Sequence, residues 1–330
     1  MSDLALWTEK YRPERLDEVA GQDAAVESFR SWLDTGMPHV LLAGPPGVGK
    51  TATIQAFAKE LYGDSYNSNF REFNASDDRG IDTVRDEIVD WCRKAPADGY
   101  EYKIIFLDEA DRLTNSAQPA LRRPIEQFSD STRFALSCNW VTEIIDPLQS
   151  RCATIHYSRL DDSDIEALIE TVIDNEGLDV EGHAVEKIVR SARGQARNAL
   201  LTLQQTVKNG SITEQQVDLF TGVVDDVLVE EILTLAIDGE IDTAQQRLDI
   251  EILKAGADPY MLIDSVFRVL RKLDLPPDYR AKTFELLATV EERLQSGLNP
   301  NVQFHALLAH LYMAQGLSSI AQQQEGEPQW

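Results

Sequence analysis

The run His39-Val40-Leu41-Leu42-Ala43 is apolar without alternation and ends at a turn rich in glycine and proline. A stretch this short, with no polar face, reads as a strand buried on both sides. Comparable runs occupy 70–74, 103–107, 134–137 and 153–157, the third ending on two acids. Between them, 51–62 and 81–93 space their apolar residues at a helical period. Strands that alternate with amphipathic helices predict an α/β domain built on a parallel sheet.

The strand signal ends near Arg159. Residues 161–175 carry Ile165, Leu168, Ile169 and Val172 in the i, i+3, i+4, i+7 stripe of a helix. Further helical stretches are expected at 182–192, 196–207 and 213–220. Thr213 and Gln216 have the spacing of a capping box at the start of the last of these. Five more follow at about 224–238, 240–254, 258–273, 278–294 and 301–317, broken by Pro276-Pro277 and Asn299-Pro300. The expected division is an α/β domain at 1–158, a small helical lid at 159–222, and a helical bundle at 223–330 with a mobile polar tail from Gln322.

Chemistry concentrates at the ends of the first and third strands. Gly44-Pro45-Pro46-Gly47-Val48-Gly49-Lys50-Thr51 fits G-x-x-x-x-G-K-[ST] at every fixed position. In that pattern glycines let backbone N–H groups curl around a phosphate, the lysine neutralises it, and the hydroxyl is a ligand for Mg²⁺. The helix that starts there adds its N-terminal dipole. The apolar strand before Asp108-Glu109 has the form of a Walker B element, with Asp108 serving the metal and Glu109 the attacking water. The pair predicts an enzyme that binds and hydrolyses ATP with Mg²⁺. A protein that only bound nucleotide would have no use for Glu109.

Charge changes the picture in one respect. The 330 residues hold 56 acids against 31 bases, a net charge of −25, and lysine supplies only 10 of the bases. This fits either a plainly acidic, highly soluble protein or one adapted to a salt-rich cytoplasm. Residues 1–158 carry a net −9 and residues 159–330 a net −16, so the first part is the less hostile to a polyanion. Three scattered cysteines, Cys92, Cys138 and Cys152, form no CxxC pair and point to a reducing, cytoplasmic setting. No apolar run reaches membrane-spanning length.

Further strings carry a resemblance: Trp7-Thr8-Glu9-Lys10-Tyr11-Arg12-Pro13, Leu16-Asp17-Glu18-Val19-Ala20-Gly21-Gln22, Asn74-Ala75-Ser76-Asp77-Asp78-Arg79-Gly80-Ile81, Ala120-Leu121-Arg122-Arg123 and Ser150-Arg151-Cys152. With the two nucleotide motifs they resemble the AAA+ family and, within it, clamp-loader small subunits of the archaeal replication factor C type. The match runs from Trp7 to about Leu203; beyond it the likeness is only that of a helical region. The resemblance implies that Arg12 and Val19 join the P-loop in holding ATP. It also makes Asn139 the sensor 1 residue, Arg197 the sensor 2 arginine, and Arg151 an arginine finger for a neighbouring subunit's nucleotide. Read by residue type alone, Asn139 is equally a turn residue, Arg197 a solvated helix residue and Arg151 half of a surface ion pair.

The resemblance further implies a five-membered ring of loader subunits joined by the C-terminal bundle, a PCNA-type sliding clamp as partner, and primer–template DNA held inside the spiral. Arg79 and the N–H groups near Ile81 are the expected DNA contacts, with Arg122 and Arg123 a weaker pair that could pack inside the domain instead. The helix carrying Ile88 and Trp91, with the loop to Tyr100, is the expected clamp contact by analogy. Two residues depart from the family: Pro124 stands where a threonine is usual and is expected to bend its helix, and Asn198 replaces a basic residue. Competing readings are an ATP-binding structural subunit with little hydrolysis, and another AAA+ DNA-processing motor.

Overall fold

The computed structural model describes residues 5–75, 81–113, 117–221, 224–254, 256–273 and 275–324. It divides into two units, Met1–Ile212 and Thr213–Trp330. The first is organised by five parallel strands, β1 (Val40–Ala43), β2 (Phe70–Asn74), β3 (Lys103–Asp108), β4 (Thr132–Cys138) and β5 (Ala153–His156), in the order β2-β3-β4-β1-β5. Successive residues supply two separate cores. Val40, Leu42, Ile104, Phe106 and Ala135 face one side, with Phe29 of α2 (Asp23–Thr35) and Ile54 and Phe57 of α3 (Lys50–Tyr62). Leu41, Ala43, Ile105, Leu107, Phe134 and Leu136 face the other. There they meet Ile88 of α5 (Ile81–Cys92) and Leu121 and Ile125 of α6 (Ala117–Gln127). Burial on both faces is why the strands read as continuous apolar runs.

Several details differ from the expectations. They begin at His39 and omit α2, although Val26, Phe29 and Leu33 form an apolar stripe that packs on the sheet; α1 (Trp7–Lys10) and α4 (Tyr66–Asn69) are likewise additional. Helix α6 runs on through Pro124, which is buried beside Ile125. Arg122 and Arg123 are exposed, Arg122 pairing with Glu126 at 3.2 Å. Within the expected clamp contact, Ile88 is buried in the core, while Trp91 and Tyr100 are half-buried, Trp91 under the Lys103 ammonium and Tyr100 edge-on to Tyr62.

After α7 (Asp146–Gln149), the first unit closes with α8 (Asp162–Glu176), α9 (Ala184–Ala192) and α10 (Ala196–Thr206), plus a two-strand parallel ladder of β6 (Asp179–Val180) and β7 (Ser211–Ile212). The second unit begins with α11 (Glu214–Thr221), where Thr213 and Gln216 exchange the reciprocal hydrogen bonds of a capping box. Then come α12 (Asp226–Ile237), α13 (Ile241–Arg247), α14 (Pro259–Lys272), α15 (Pro277–Gln295) and α16 (Pro300–Gln324). Leu233, Leu248, Val266, Leu270, Val290 and Leu307 belong to their shared core. The stretch expected as one helix at 240–254 changes at Leu248–Leu253 to a π-helical turn, with Lys254 N–H donating to Asp249 five residues back. Helix α16 also outruns its expected end and takes in Gln322 to Gln324. Alanine and glutamine sustain a helix, and the next glycine is Gly326. The rest of the expected tail lies outside the described residues.

Lys103, at the start of β3, is almost wholly buried. Its ammonium donates to the carbonyls of Trp91 and Lys94 and lies 4.0 Å from the Trp91 ring centroid. It thereby caps the C-terminal end of α5 from inside the domain. Replacing it with methionine takes a charged donor from both carbonyls and leaves that of Trp91 only the Lys94 N–H at 3.1 Å. Lys103→Met is expected to lower stability by about 1–3 kcal/mol, read as a reduced urea midpoint with an unchanged m-value.

Candidate active site

The C-terminal ends of β1, β3 and β4 open onto one cavity of about 260 Å³. The sheet order puts β1 between β4 and β5, where the winding reverses, the place at which open parallel sheets receive ligands. Pro46 to Thr51 line it, as do Asp108, Glu109, Asn139 and Arg197. Arg12, Val19, Leu160, Leu168 and Leu200 add apolar surface and one more cation.

The turn after β1 holds its shape through glycine. Gly47 and Gly49 have φ of 73° and 103°, a region open to glycine at little cost. At Gly44 a Cβ would lie 2.2 Å from the Tyr157 carbonyl oxygen, so the loop can pass β5 only without a side chain. Lys50 then points back into the loop, donating to Gly44 O, to Pro45 O at 2.7 Å and to Asn139 Oδ1 at 3.4 Å. Burial pulls its pKa below the ordinary lysine value, with Arg197 acting in the same direction and Asp108 and Asp111 against it. The first turn of α10 sits on the loop, Arg197 N–H facing Gly47 O at 3.4 Å.

Asp108 and Glu109 are organised from β4. Thr51 Oγ1 donates to Asp108 Oδ2 at 3.0 Å, and Ser137 Oγ donates to Asp108 Oδ1. The Glu109 N–H donates to Ser137 Oγ at 2.9 Å and to Asp108 Oδ1 at 3.1 Å. These bonds hold Glu109 at φ 54°, a left-handed conformation unusual for a residue with a side chain. Its carboxylate pairs with Arg112 Nε at 3.1 Å. Ser137 is thus a functional residue that the motifs did not indicate. The sequence signal is a polar residue within the run Phe134–Cys138, a position that is 1% exposed.

The cavity suits a magnesium-bound nucleoside triphosphate. Thr51 Oγ1 and Asp108 Oδ2 are adjacent hard oxygen donors, of the kind that Mg²⁺ accepts alongside phosphate and water. Arg12 Nε and Asp111 Oδ1 are buried polar atoms without partners, and both residues line the cavity. The remaining Arg12 nitrogens donate to Gln55 at 2.9 Å and to Glu9.

Arg151 is not among the cavity residues. Its Nε donates to Glu126 Oε1 at 2.9 Å and its Nη2 to the same oxygen, while Nη1 donates to Pro147 O at 2.6 Å. Hydrogen bonds from Arg122 and Arg151 hold the Glu126 carboxyl below its ordinary pKa. Arg79 lies outside the described residues; Ile81 begins α5, but its side chain lies outside the description.

Sheet, phosphate loop and acidic strand end together define a P-loop ATPase of the AAA class. The pattern of the ATPase family associated with various cellular activities (AAA) matches residues 40–160, and that of the replication factor C C-terminal domain matches residues 224–310. Proteins named replication factor C small subunit are similar along almost the whole chain. The one from Natronomonas pharaonis is 41% identical over 93% of this chain and 94% of its own; that from Halobacterium salinarum is 42% identical over 92% and 95%. The one from Methanocella arvoryzae is 39% identical over 95% and 98%. The chain belongs to the replication factor C small-subunit family. Among solved structures, the Thermotoga maritima RuvB Holliday junction branch migration motor shares the fold. Its TM-score is 0.54 at 21% identity, over 76% of this chain and 90% of that one.

Ser137→Ala would remove the hydroxyl that orients both acids. Turnover is expected to fall about 10- to 100-fold, with a raised Mg²⁺ requirement and little change in nucleotide affinity. A magnesium titration of ATPase rate, beside equilibrium binding of a labelled nucleotide, checks this.

Proposed function

We propose that this chain is a motor subunit of a clamp loader. It works in a hetero-pentameric ring with other loader subunits to open a PCNA-type sliding clamp and place it on primer–template DNA. One observation carries the reading: a chain with full-length similarity to replication factor C small subunits gathers Lys50, Thr51, Asp108, Glu109, Asn139 and Arg197 around one cavity. In this reading Gly44 to Thr51, with Arg12, Val19 and Arg197, bind ATP. Thr51 and Asp108 would hold Mg²⁺, which would neutralise phosphate charge. Glu109 orients and polarises the attacking water; Lys50 and Asn139 supply a cation and a carboxamide at the same end of the cavity. Residues 159–222 act as a lid through Arg197, and 223–330 as the collar of the ring.

Arg151 completes a neighbouring subunit's site. Its place outside the cavity of its own chain, half-exposed on the end of α6, supports that role. Arg79 and the start of α5 near Ile81 grip DNA backbone, helix N–H groups and a guanidinium both being suited to phosphate. Short directed contacts of this kind suit a protein of net charge −25, for which a diffuse basic field is absent. No helix among the described residues is long and apolar enough to cross a membrane. The setting proposed is a cytoplasm rich in salt.

The test compares complexes assembled with single variants. Lys50→Ala is expected to lose saturable Mg-nucleotide binding. Glu109→Gln should keep binding while clamp- and DNA-stimulated turnover falls at least about 100-fold. Arg151→Ala should cut turnover about 1000-fold or more at unchanged affinity. Full stimulated turnover in the Glu109→Gln complex would instead indicate a structural nucleotide.

A further inference from the structure

Asp111 is the third acid of the Asp108–Asp111 stretch that ends β3, and none of the nucleotide motifs gives it a task. It sits in the tight turn Ala110–Arg112, which Ala110, completely buried, anchors to the core. The turn closes with the Arg112 N–H donating to Glu109 O at 2.9 Å. Asp111 therefore cannot drift independently of Glu109, two residues before it. Its carboxylate reaches across to the end of β4 and accepts the Asn139 backbone N–H on Oδ2 at 2.9 Å. Asn139 Oδ1 in turn lies 3.4 Å from Lys50 Nζ. The other oxygen, Oδ1, is buried, has no hydrogen-bond partner, and belongs to a residue of the cavity wall.

Holding one backbone N–H needs only one acceptor, which a serine or asparagine could supply. A second, buried carboxylate oxygen without a donor is costly and is surplus to that task. Its place in the wall leaves a hydrogen-bond donor inside the cavity as its partner. We propose that Asp111 is a positioning residue for hydrolysis, fixing Asn139 through Oδ2 and accepting through Oδ1 a hydrogen bond from a water molecule at the Lys50–Asn139 end of the cavity. With Ser137 holding Glu109 from β4, and Asp111 holding Asn139 from the turn after β3, the two strand ends clamp each other. The reach of Asp111's charge to Lys50 and to the Cys138 thiol agrees with this position.

This inference rests on the hydrolytic reading of the site. Its test uses Asp111→Asn and Asp111→Ala in the assembled complex, with Glu109→Gln alongside. Asparagine keeps an acceptor for the Asn139 N–H but replaces the free oxygen with a donor; alanine removes both. Both variants are expected to lose about 10- to 100-fold in kcat, with affinity for a non-hydrolysable ATP analogue within about twofold. Amide hydrogen exchange at Asn139 in the nucleotide-free chain should stay slow in Asp111→Asn and speed up in Asp111→Ala. Wild-type kcat in Asp111→Asn, while Glu109→Gln is impaired, overturns the proposal and leaves only a backbone anchor. Loss of analogue affinity in step with kcat in both variants also overturns it. If Glu109→Gln too retains full turnover, the hydrolytic reading itself fails, and the proposal with it.

Discussion

One buried hydrogen-bonded bridge holds this active site together: Thr51 to Asp108 to Ser137. It joins the first turn of the helix after β1 to the ends of β3 and β4, and it exists because of strand register. Leu107 lies opposite Leu136, so Asp108 follows beside Ser137, and Ser137 in turn lies opposite Leu42. A slip of one residue in either ladder would turn Ser137 into the opposite core and leave Asp108 without its donor. The two apolar faces, filled by alternate residues of the same strands, make such a slip prohibitively costly. The hydrophobic pattern thus sets catalytic geometry as well as stability.

What could be read from the sequence follows from how local each feature is. The phosphate loop and the Asp108-Glu109 pair are contiguous, and their chemistry is legible in eight residues or fewer. Strands β1, β3 and β4 were legible because burial on both faces leaves no alternation to confuse. Ser137 and Asp111 were not legible as site residues, because their roles depend on β3 and β4 being neighbours, which no single stretch announces. For the helix carrying Ile88 and Trp91, no single stretch announced that Ile88 is spent on the core or that the Trp91 ring packs under Lys103. Pro124 sits inside a helix that continues past it, buried where its ring adds apolar volume.

The acidic composition carries over to the cavity, but its cations are placed among the acids. Arg12, Lys50 and Arg197 line it together with Glu9, Glu18, Asp108, Glu109 and Asp111. The local field is therefore set by a few placed groups, and the net charge of −25 acts at longer range, where dissolved salt screens it.

Three of the cations at and near the cavity are bound to groups of the protein itself. Lys50 rests on two loop carbonyls and Asn139, Arg12 on Gln55 and Glu9, and Arg151 on Glu126 and Pro147. None of these three stands free in water awaiting phosphate. Engagement of a triphosphate, in this chain's own cavity or in a neighbour's, is then an exchange of one set of acceptors for another at nearly constant hydrogen-bond count. Such an exchange is governed by the difference between two directed arrangements rather than by long-range attraction. Mobile ions weaken both arrangements together, and the balance between them moves little. A phosphate-handling machine can therefore operate on a strongly acidic chain, provided its few cations are held in place before the ligand arrives.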